Sequence, residues 1–252
     1  MNRGLDLGLS LAATLATGGR GVKVTAHARQ PEQLLELYDI ENCPYCRIVR
    51  ETLTALDLDA VIYPCPKGGT RHRQQVQQRG GRQQFPFLVD PNTGTQLYES
   101  TAIVEYLSST YGSGRSRGPL TRALTTAGSL GASVLRLGHG SRCASATQAP
   151  QRMLELYSFE ASPFARFVRE YLCEREVPYI LRNCGRRQGL DWLPIPPLRA
   201  RLAPGYAPVQ RNRKFLSEVA GKVQMPCLVD PNTGATLFES ADIVDYLERH
   251  YG

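Results

Sequence analysis

Acidic residues are missing from two long stretches of this 252-residue chain. Residues 1–30 hold one, Asp6, against four basic ones, Arg3, Arg20, Lys23 and Arg29, and none lies between Glu105 and Glu155. Long apolar runs are missing too: no stretch approaches the roughly 18–20 residues that a membrane helix needs, so no membrane span is expected. The seven cysteines contain one close pair and are otherwise scattered. That excludes a secreted disulfide scaffold and fits a reducing compartment; a cytoplasmic location is expected. The four histidines form no spaced cluster and read as surface residues. What is present describes a folded chain, with 42% hydrophobic and 21% charged residues and enough length for two cores. The net charge of +7 comes from arginines spread along the chain without interleaved aromatics, so no nucleic-acid surface is expected. The leader, residues 1–31, has the composition of an organelle transit peptide. The same acid-free character recurs mid-chain in residues 113–150, however, so both segments read as architecture. Leu5, Leu9, Ala12 and Ala16 in the first, and Leu120, Leu124, Leu130 and Leu135 in the second, predict short amphipathic helices.

Self-comparison sets the organisation. Leu35–Glu51 and Leu154–Glu170 agree at 10 of 17 positions at an offset of 119; Pro86–Gly112 and Pro226–Gly252 agree at 17 of 27 at an offset of 140. The chain is an internal duplication, 32–112 and 151–252, whose second copy carries an insertion of 21 residues within about 190–212. That insertion brings Trp192, Tyr206 and five prolines, and is expected to cover the second site or build the interface.

The first copy reads as alternating elements. Leu34–Ile40 and Ala60–Cys65 are predicted strands with a helix opening at Pro44 between them. A polar helix over Thr70–Arg79 ends at Gly80-Gly81. Phe85–Asp90 and Gln96–Glu99 flank PNTG as a hairpin, and Ser100 is expected to cap a last helix. The order βαβ, helix, ββα predicts an α/β fold with a mixed four-stranded sheet in each copy.

This order, with Cys43-Pro44-Tyr45-Cys46 at the first strand–helix junction, resembles the thioredoxin fold, and most closely glutaredoxins and the amino-terminal domain of glutathione S-transferases. The resemblance covers most of the chain and implies two such domains in tandem, without the all-helical domain that follows in transferases. It also implies a cis proline opening the third strand, Pro86 and Pro226, and an acid–serine pair that binds the γ-glutamyl end of glutathione, Glu99-Ser100 and Glu239-Ser240. The residue before the cis proline, Phe85 or Met225, would pair through its backbone with the ligand's cysteine.

Chemistry concentrates in the first copy. Cys43 before a helix is a candidate nucleophile, its thiolate favoured by unpaired N–H groups, the helix dipole and Arg47; Cys46, one turn on, is the resolving thiol. Half a zinc site is the bland reading of C-x-x-C, but no second pair exists, so no metal is expected. Tyr45, Arg47, Phe85, Pro86, Glu99 and Ser100 are expected around glutathione, the implied cofactor, with Lys67, Arg71 and Arg73 as further candidates for its glycyl carboxylate. In the second copy Ser162 and Ala165 replace the cysteines. Ser162 reads as a helix cap before it reads as a thiol activator, although Ser162, Met225, Pro226, Glu239 and Ser240 leave a second binding site open. Cys65 and Cys184, at equivalent strand ends, read as buried hydrophobes or, for Cys65, as a third redox partner. The leading expectation is a glutathione-dependent thiol–disulfide oxidoreductase acting on disulfide or glutathionylated substrates, possible as a homodimer. Glutathione conjugation, a non-catalytic binding module and an iron–sulfur cluster shared across a dimer are the alternatives.

Overall fold

A computed structural model describes residues 3–25, 28–114, 118–144, 147–193 and 196–252; His27 and part of the insertion lie outside them. In the first copy β1 (Leu35–Asp39) runs parallel to β2 (Ala60–Pro64), with α2 (Pro44–Ala55) crossing between them. β3 (Phe87–Asp90) lies antiparallel to β1, and β4 (Thr95–Tyr98) antiparallel to β3. α3 (Arg73–Gly80) links β2 to β3, and α4 (Ser100–Thr110) follows β4. The second copy repeats this as β5 (Leu154–Ser158), α6 (Pro163–Glu174), β6 (Tyr179–Asn183), α8 (Arg211–Ala220), β7 (Cys227–Asp230), β8 (Ala235–Phe238) and α9 (Ser240–Tyr251). A 3₁₀ turn at Gly189–Trp192 and α7 (Pro196–Leu202) form the insertion. Helices α1 (Arg3–Ala16) and α5 (Pro119–Leu135) precede the two copies.

The elements carry the expected order with three local shifts. The polar helix begins at Arg73 and not Thr70, because the N–H groups of Thr70 and Arg71 donate to the Glu176 carboxylate at 3.0 and 3.1 Å. Ser100 is the first helical residue rather than the cap, which falls to Glu99 in a left-handed backbone conformation, φ 66°. His72, expected at the surface, is buried over the Glu176 carbonyl at 3.3 Å, and burial pulls its pKa down to about 4.

The two sheets are one. β2 and β6 pair antiparallel, Val61 opposite Ile180, giving the continuous order β4-β3-β1-β2-β6-β5-β7-β8. One apolar cluster runs beneath it, from Leu35, Leu37, Val49 and Leu53 to Leu154, Leu156, Val168 and Leu172. A buried ionic lattice that obeys the 119-residue offset ties the middle of each of α2 and α6 to the turn preceding the other. Arg50 donates to Glu160 at 2.8 Å, to the Glu41 carbonyl at 2.8 Å, and to Asp39; Arg169 donates to Glu41 at 3.1 Å and to Ser158 Oγ at 3.1 Å. Charges this deep are tolerated only where each is paired and hydrogen-bonded. Burial alone would raise the Glu160 pKa, but Arg169, Arg50 and Arg47 outweigh it and hold it near 2. Asp39 moves the other way: burial lifts it to about 6 against the pull of Arg50.

Helices α1 and α5 run antiparallel against each other, with Asp6 bonded to Arg136 at 2.9 Å near one end and Ala16 against Gly128 near the other. They lie over α6 and α2 respectively. Leu5, Leu120, Leu124 and Leu130 face outward, while Leu9 and Leu135 are half-buried. The inward positions are Ser10, Ala13 and Thr17 on or just after α1, and Thr125, Ser129 and Ala132 on α5. The approach is too close and too polar for leucine: Ser10 Oγ donates to the Pro163 carbonyl at 2.9 Å, and a Cβ on Gly128 would sit 2.7 Å from the Ala16 carbonyl oxygen.

Candidate functional site

The strand registers gather the candidate residues at one edge of the first sheet. Asp39 at the end of β1 lies beside Pro64 at the end of β2, and Phe87 at the start of β3 lies beside Tyr98 at the end of β4. Cys43, Cys65, Pro86, Glu99 and Ser100 therefore all leave the same edge. Cys43 is half-buried and occupies the position before α2, with Pro44 as the first helical residue. No side chain closes a formal cap there, but Cys46 donates its S–H to the Cys43 sulfur, and the N–H groups of Cys46 and Tyr45 also face it. These hydrogen bonds, the Cys46 thiol foremost, outweigh partial burial and, with the Arg50 charge, draw the Cys43 pKa down to about 7. Cys46 is fully buried, and burial and the neighbouring sulfur push its pKa well up.

Around this thiol the Phe85–Pro86 peptide is cis. Tyr45 is exposed beside the nucleophile, and Glu99 is exposed with its carboxylate bonded to the Gln84 side-chain amide. A non-glycine residue at φ 66° is held there at a cost of about 1–3 kcal/mol, the kind of strain that collects at functional sites. Gln84 was not singled out from the sequence, although its counterpart Gln224 stands at the 140-residue offset and holds Glu239 in the same way. Arg47, expected to flank the sulfur and the ligand, is instead buried and ion-paired to Glu160 at 3.5 Å; the nearby charge that acts on Cys43 is Arg50. Of the three basic candidates, Arg71 is turned away onto the Glu176 carbonyl at 2.7 Å, Arg73 stacks on Phe85 with its guanidinium 4.8 Å from the ring centre, and Lys67 is exposed. Cys65 is fully buried among Tyr38, Val76 and Phe87, and burial lifts its pKa far above the ordinary range. It packs as a small hydrophobe. Among the described residues no cluster of histidine, cysteine and carboxylate side chains could hold a metal.

The second copy has the same frame with a different lining. Met225–Pro226 is cis, Glu239 again has φ 66°, and Ser162 accepts the Ala165 N–H at 3.2 Å as a helix cap. Ser162 is 2% exposed. The segment after α1 packs beside it: Val22 lies on Phe159, Ala161 and Met225, while the Val24 N–H donates to the Arg186 carbonyl at 2.9 Å and the Arg186 N–H to that of Val22 at 2.7 Å. The segment after α5 repeats this on the first copy, pairing Ser141 and Cys143 with Lys67. There the residue equivalent to Val22 is Ser141, and Cys43 keeps its access. In the insertion, Trp192 stacks on Arg186, and the Tyr206 hydroxyl donates to Asp191 at 2.6 Å, so the insertion packs beside the second site.

The model of the glutathione S-transferase N-terminal domain matches residues 37–116 and 156–252. Among solved structures, a Bombyx mori glutathione transferase, BmGSTD1, in complex with GTT is 28% identical over 38% of this chain and 45% of its own, with a TM-score of 0.32. Leishmania TDR1, described as a unique trimeric glutathione transferase, is 12% identical over 87% of this chain and 67% of its own, with a TM-score of 0.28. The chain thus spans under half the length of the Bombyx mori enzyme. A search of the curated proteins found no match. The family model matches over more than half of the sequence, once on each repeat, and the chain belongs to the glutathione S-transferase N-terminal domain family, whose thioredoxin-like α/β fold it carries twice in tandem.

Proposed function

We propose that the chain is a glutathione-dependent thiol–disulfide oxidoreductase with one working site, in the first copy. The observation that carries this reading is the Cys43 thiol, half-buried at a helix start with its pKa drawn down to about 7, so that about half of it is thiolate at neutral pH without loss of nucleophilicity. Cys43 thiolate attacks the glutathione sulfur of a mixed disulfide; the Cys43–glutathione bond forms as the substrate sulfur leaves as a thiolate and takes a proton from water. A second glutathione thiolate then attacks the bound glutathione sulfur, releasing oxidised glutathione and restoring the Cys43 thiolate. Cys46 offers an internal route that releases reduced glutathione and closes a Cys43–Cys46 disulfide, which two further glutathione molecules reduce. Its burial and raised pKa favour the route through free glutathione. Glu99 would take the γ-glutamyl ammonium, Ser100 the neighbouring carboxylate, and the Phe85 backbone the cysteinyl part of the ligand, with Tyr45 over the sulfur and Lys67 and Arg73 toward the glycyl end. The second site, with Ser162 buried and both cysteines replaced, is a relic.

Deglutathionylation of a model mixed disulfide tests this. Cys43→Ser should abolish turnover and Cys46→Ser should leave most of it; full activity in Cys43→Ser would falsify the proposal. The family itself favours a second reading, conjugation of glutathione to electrophiles. A chlorodinitrobenzene assay separates the two, because conjugation should survive Cys43→Ser wherever Glu99 and Ser100 hold the ligand.

A further inference from the structure

The insertion gives the second copy an arginine held against aromatic rings without an acid to pair it. Arg186, half-buried after β6, lies over two rings, its guanidinium carbon 4.6 Å from the Trp192 ring centre and 5.6 Å from that of Phe159. Its Nε is shielded from solvent and has no hydrogen-bond partner among the described residues. The arginines near it in the chain are engaged otherwise. Arg182 and Arg211 pair with Asp59, and Arg199 donates to the Leu193 and Val223 carbonyls. Asp191 is the one acidic residue between Glu176 and Glu218. It pairs with Arg213 at 3.7 Å and accepts the Tyr206 hydroxyl at 2.6 Å and the N–H groups of Arg187 and Gln188 at 2.8 and 3.1 Å. Among the described residues Arg186 forms no ion pair. Lys67, its equivalent in the first copy, is simply exposed.

A guanidinium taken half out of water without a counter-charge is costly unless something supplies one. Burial and the Arg213 and Arg199 charges draw the Arg186 pKa down against the opposing pull of Asp191, so the local field favours an added negative charge. The surrounding side chains say which anion. Phe159 packs with Val22, Ala161 and Met225, and Trp192 is 51% exposed. The planar edge of a guanidinium matches the two oxygens of a carboxylate. A phosphate or sulfate would turn its remaining oxygens toward rings and aliphatic side chains that donate nothing. A flat apolar group carried on the carboxylate suits the Trp192 ring and the apolar wall beside it. Trp192 and Arg199 belong to the insertion, which the first copy lacks, so this chemistry is confined to the second.

We propose that Arg186, with Trp192 and Phe159, forms a binding site for an aromatic carboxylate on the second copy. Trp192 is the single tryptophan of the chain, so its fluorescence reports the site directly. Benzoate should quench it saturably in the full chain, and benzyl alcohol, the same ring without the charge, should bind at least about ten-fold more weakly. Arg186→Gln should weaken benzoate binding about ten-fold or more, and Arg186→Lys, which keeps the charge but not the fork, by a smaller factor. Both variants should keep the wild-type circular dichroism and Cys43 alkylation rate. Arg249→Gln, at an exposed position on α9, should bind benzoate as wild type does. Four results would each overturn the proposal: no saturable quenching by benzoate, equal binding of benzyl alcohol, inorganic phosphate binding as tightly as benzoate, or unchanged benzoate affinity in a folded Arg186→Gln protein. The first three are read on the wild-type chain and decide the matter even where a variant misfolds.

Discussion

At the scale of single residues, the chemistry depends on how two sulfurs share one hydrogen bond. Cys46 donates to Cys43, and that donation is the largest contribution to the lowered Cys43 pKa. Iodoacetamide alkylation of Cys43 should therefore rise with pH through a midpoint near 7, and Cys46→Ala should move the midpoint up toward the ~8.5 of a free thiol. An unchanged midpoint would assign the activation to the helix terminus alone. The cis prolines were legible through the family resemblance, which also marks the Cys43–Cys46 pair and the acid–serine pairs as candidates. Arg47 was not. One residue on α2 cannot be assigned to the sulfur or to the interface until the partner carboxylate, Glu160, is known, and Glu160 comes from 113 positions away. Gln84 was readable in principle from its repeat Gln224, but a lone glutamine in a polar stretch carries no signal of its own.

Among the elements, the segments that follow α1 and α5 decide which site is open. Gly21 has φ 76°, a left-handed conformation, and a Cβ there would lie 2.8 Å from Glu160 Cβ. Gly21→Ala should cost about 1–3 kcal/mol, seen as a lowered urea midpoint, since both the backbone and the contact resist a side chain. With Ser162 buried and Val22 packed on Ala161 and Met225, calorimetric titration should give one glutathione per chain; two equivalent sites would show that the second copy still binds. The sequence marks a helix before each copy and leaves its orientation open. Periodicity locates an apolar stripe but not what it faces, and here the small hydroxyl residues on the opposite side made the tight contact. The packing of Val22 on the second copy was not foreseen, because it depends on a hydrogen-bonded pairing with Arg186, 164 residues further along the chain.

For the whole molecule, the ionic lattice is where the two copies depend on each other. Glu160→Gln would leave Arg47, Arg50 and Arg169 buried with too little negative charge and should lower stability by about 3–5 kcal/mol in equilibrium unfolding. The pH dependence has a definite sign. Glu160 has its folded pKa near 2 against an ordinary 4.5, so its contribution is complete above pH 4.5 and is lost as pH falls through 2. His72, near 4 against 6.5, contributes above pH 6.5 and loses that as pH falls through 4. Asp39, lifted to about 6 from 3.8, works in the opposite sense, its contribution lost as pH rises through 6. Asp39 and His72 thus partly cancel between pH 4 and 6.5, and the melting temperature should drop steeply only below about 4.5. Glu160→Gln should flatten that acid limb.

The duplication and the four-stranded halves were plain in the sequence, but their fusion was not, since nothing in Ala60–Pro64 or Tyr179–Asn183 marks the far edge of either strand as paired. That fusion has its own consequence. Melting the silent half would strip β2 of its neighbour and leave an open ladder of unsatisfied amides on the half that holds Cys43. The two halves should accordingly melt as a single cooperative unit, and a core lesion such as Leu228→Ala, remote from the thiol, should shorten the lifetime of the active site as much as its equivalent Leu88→Ala does.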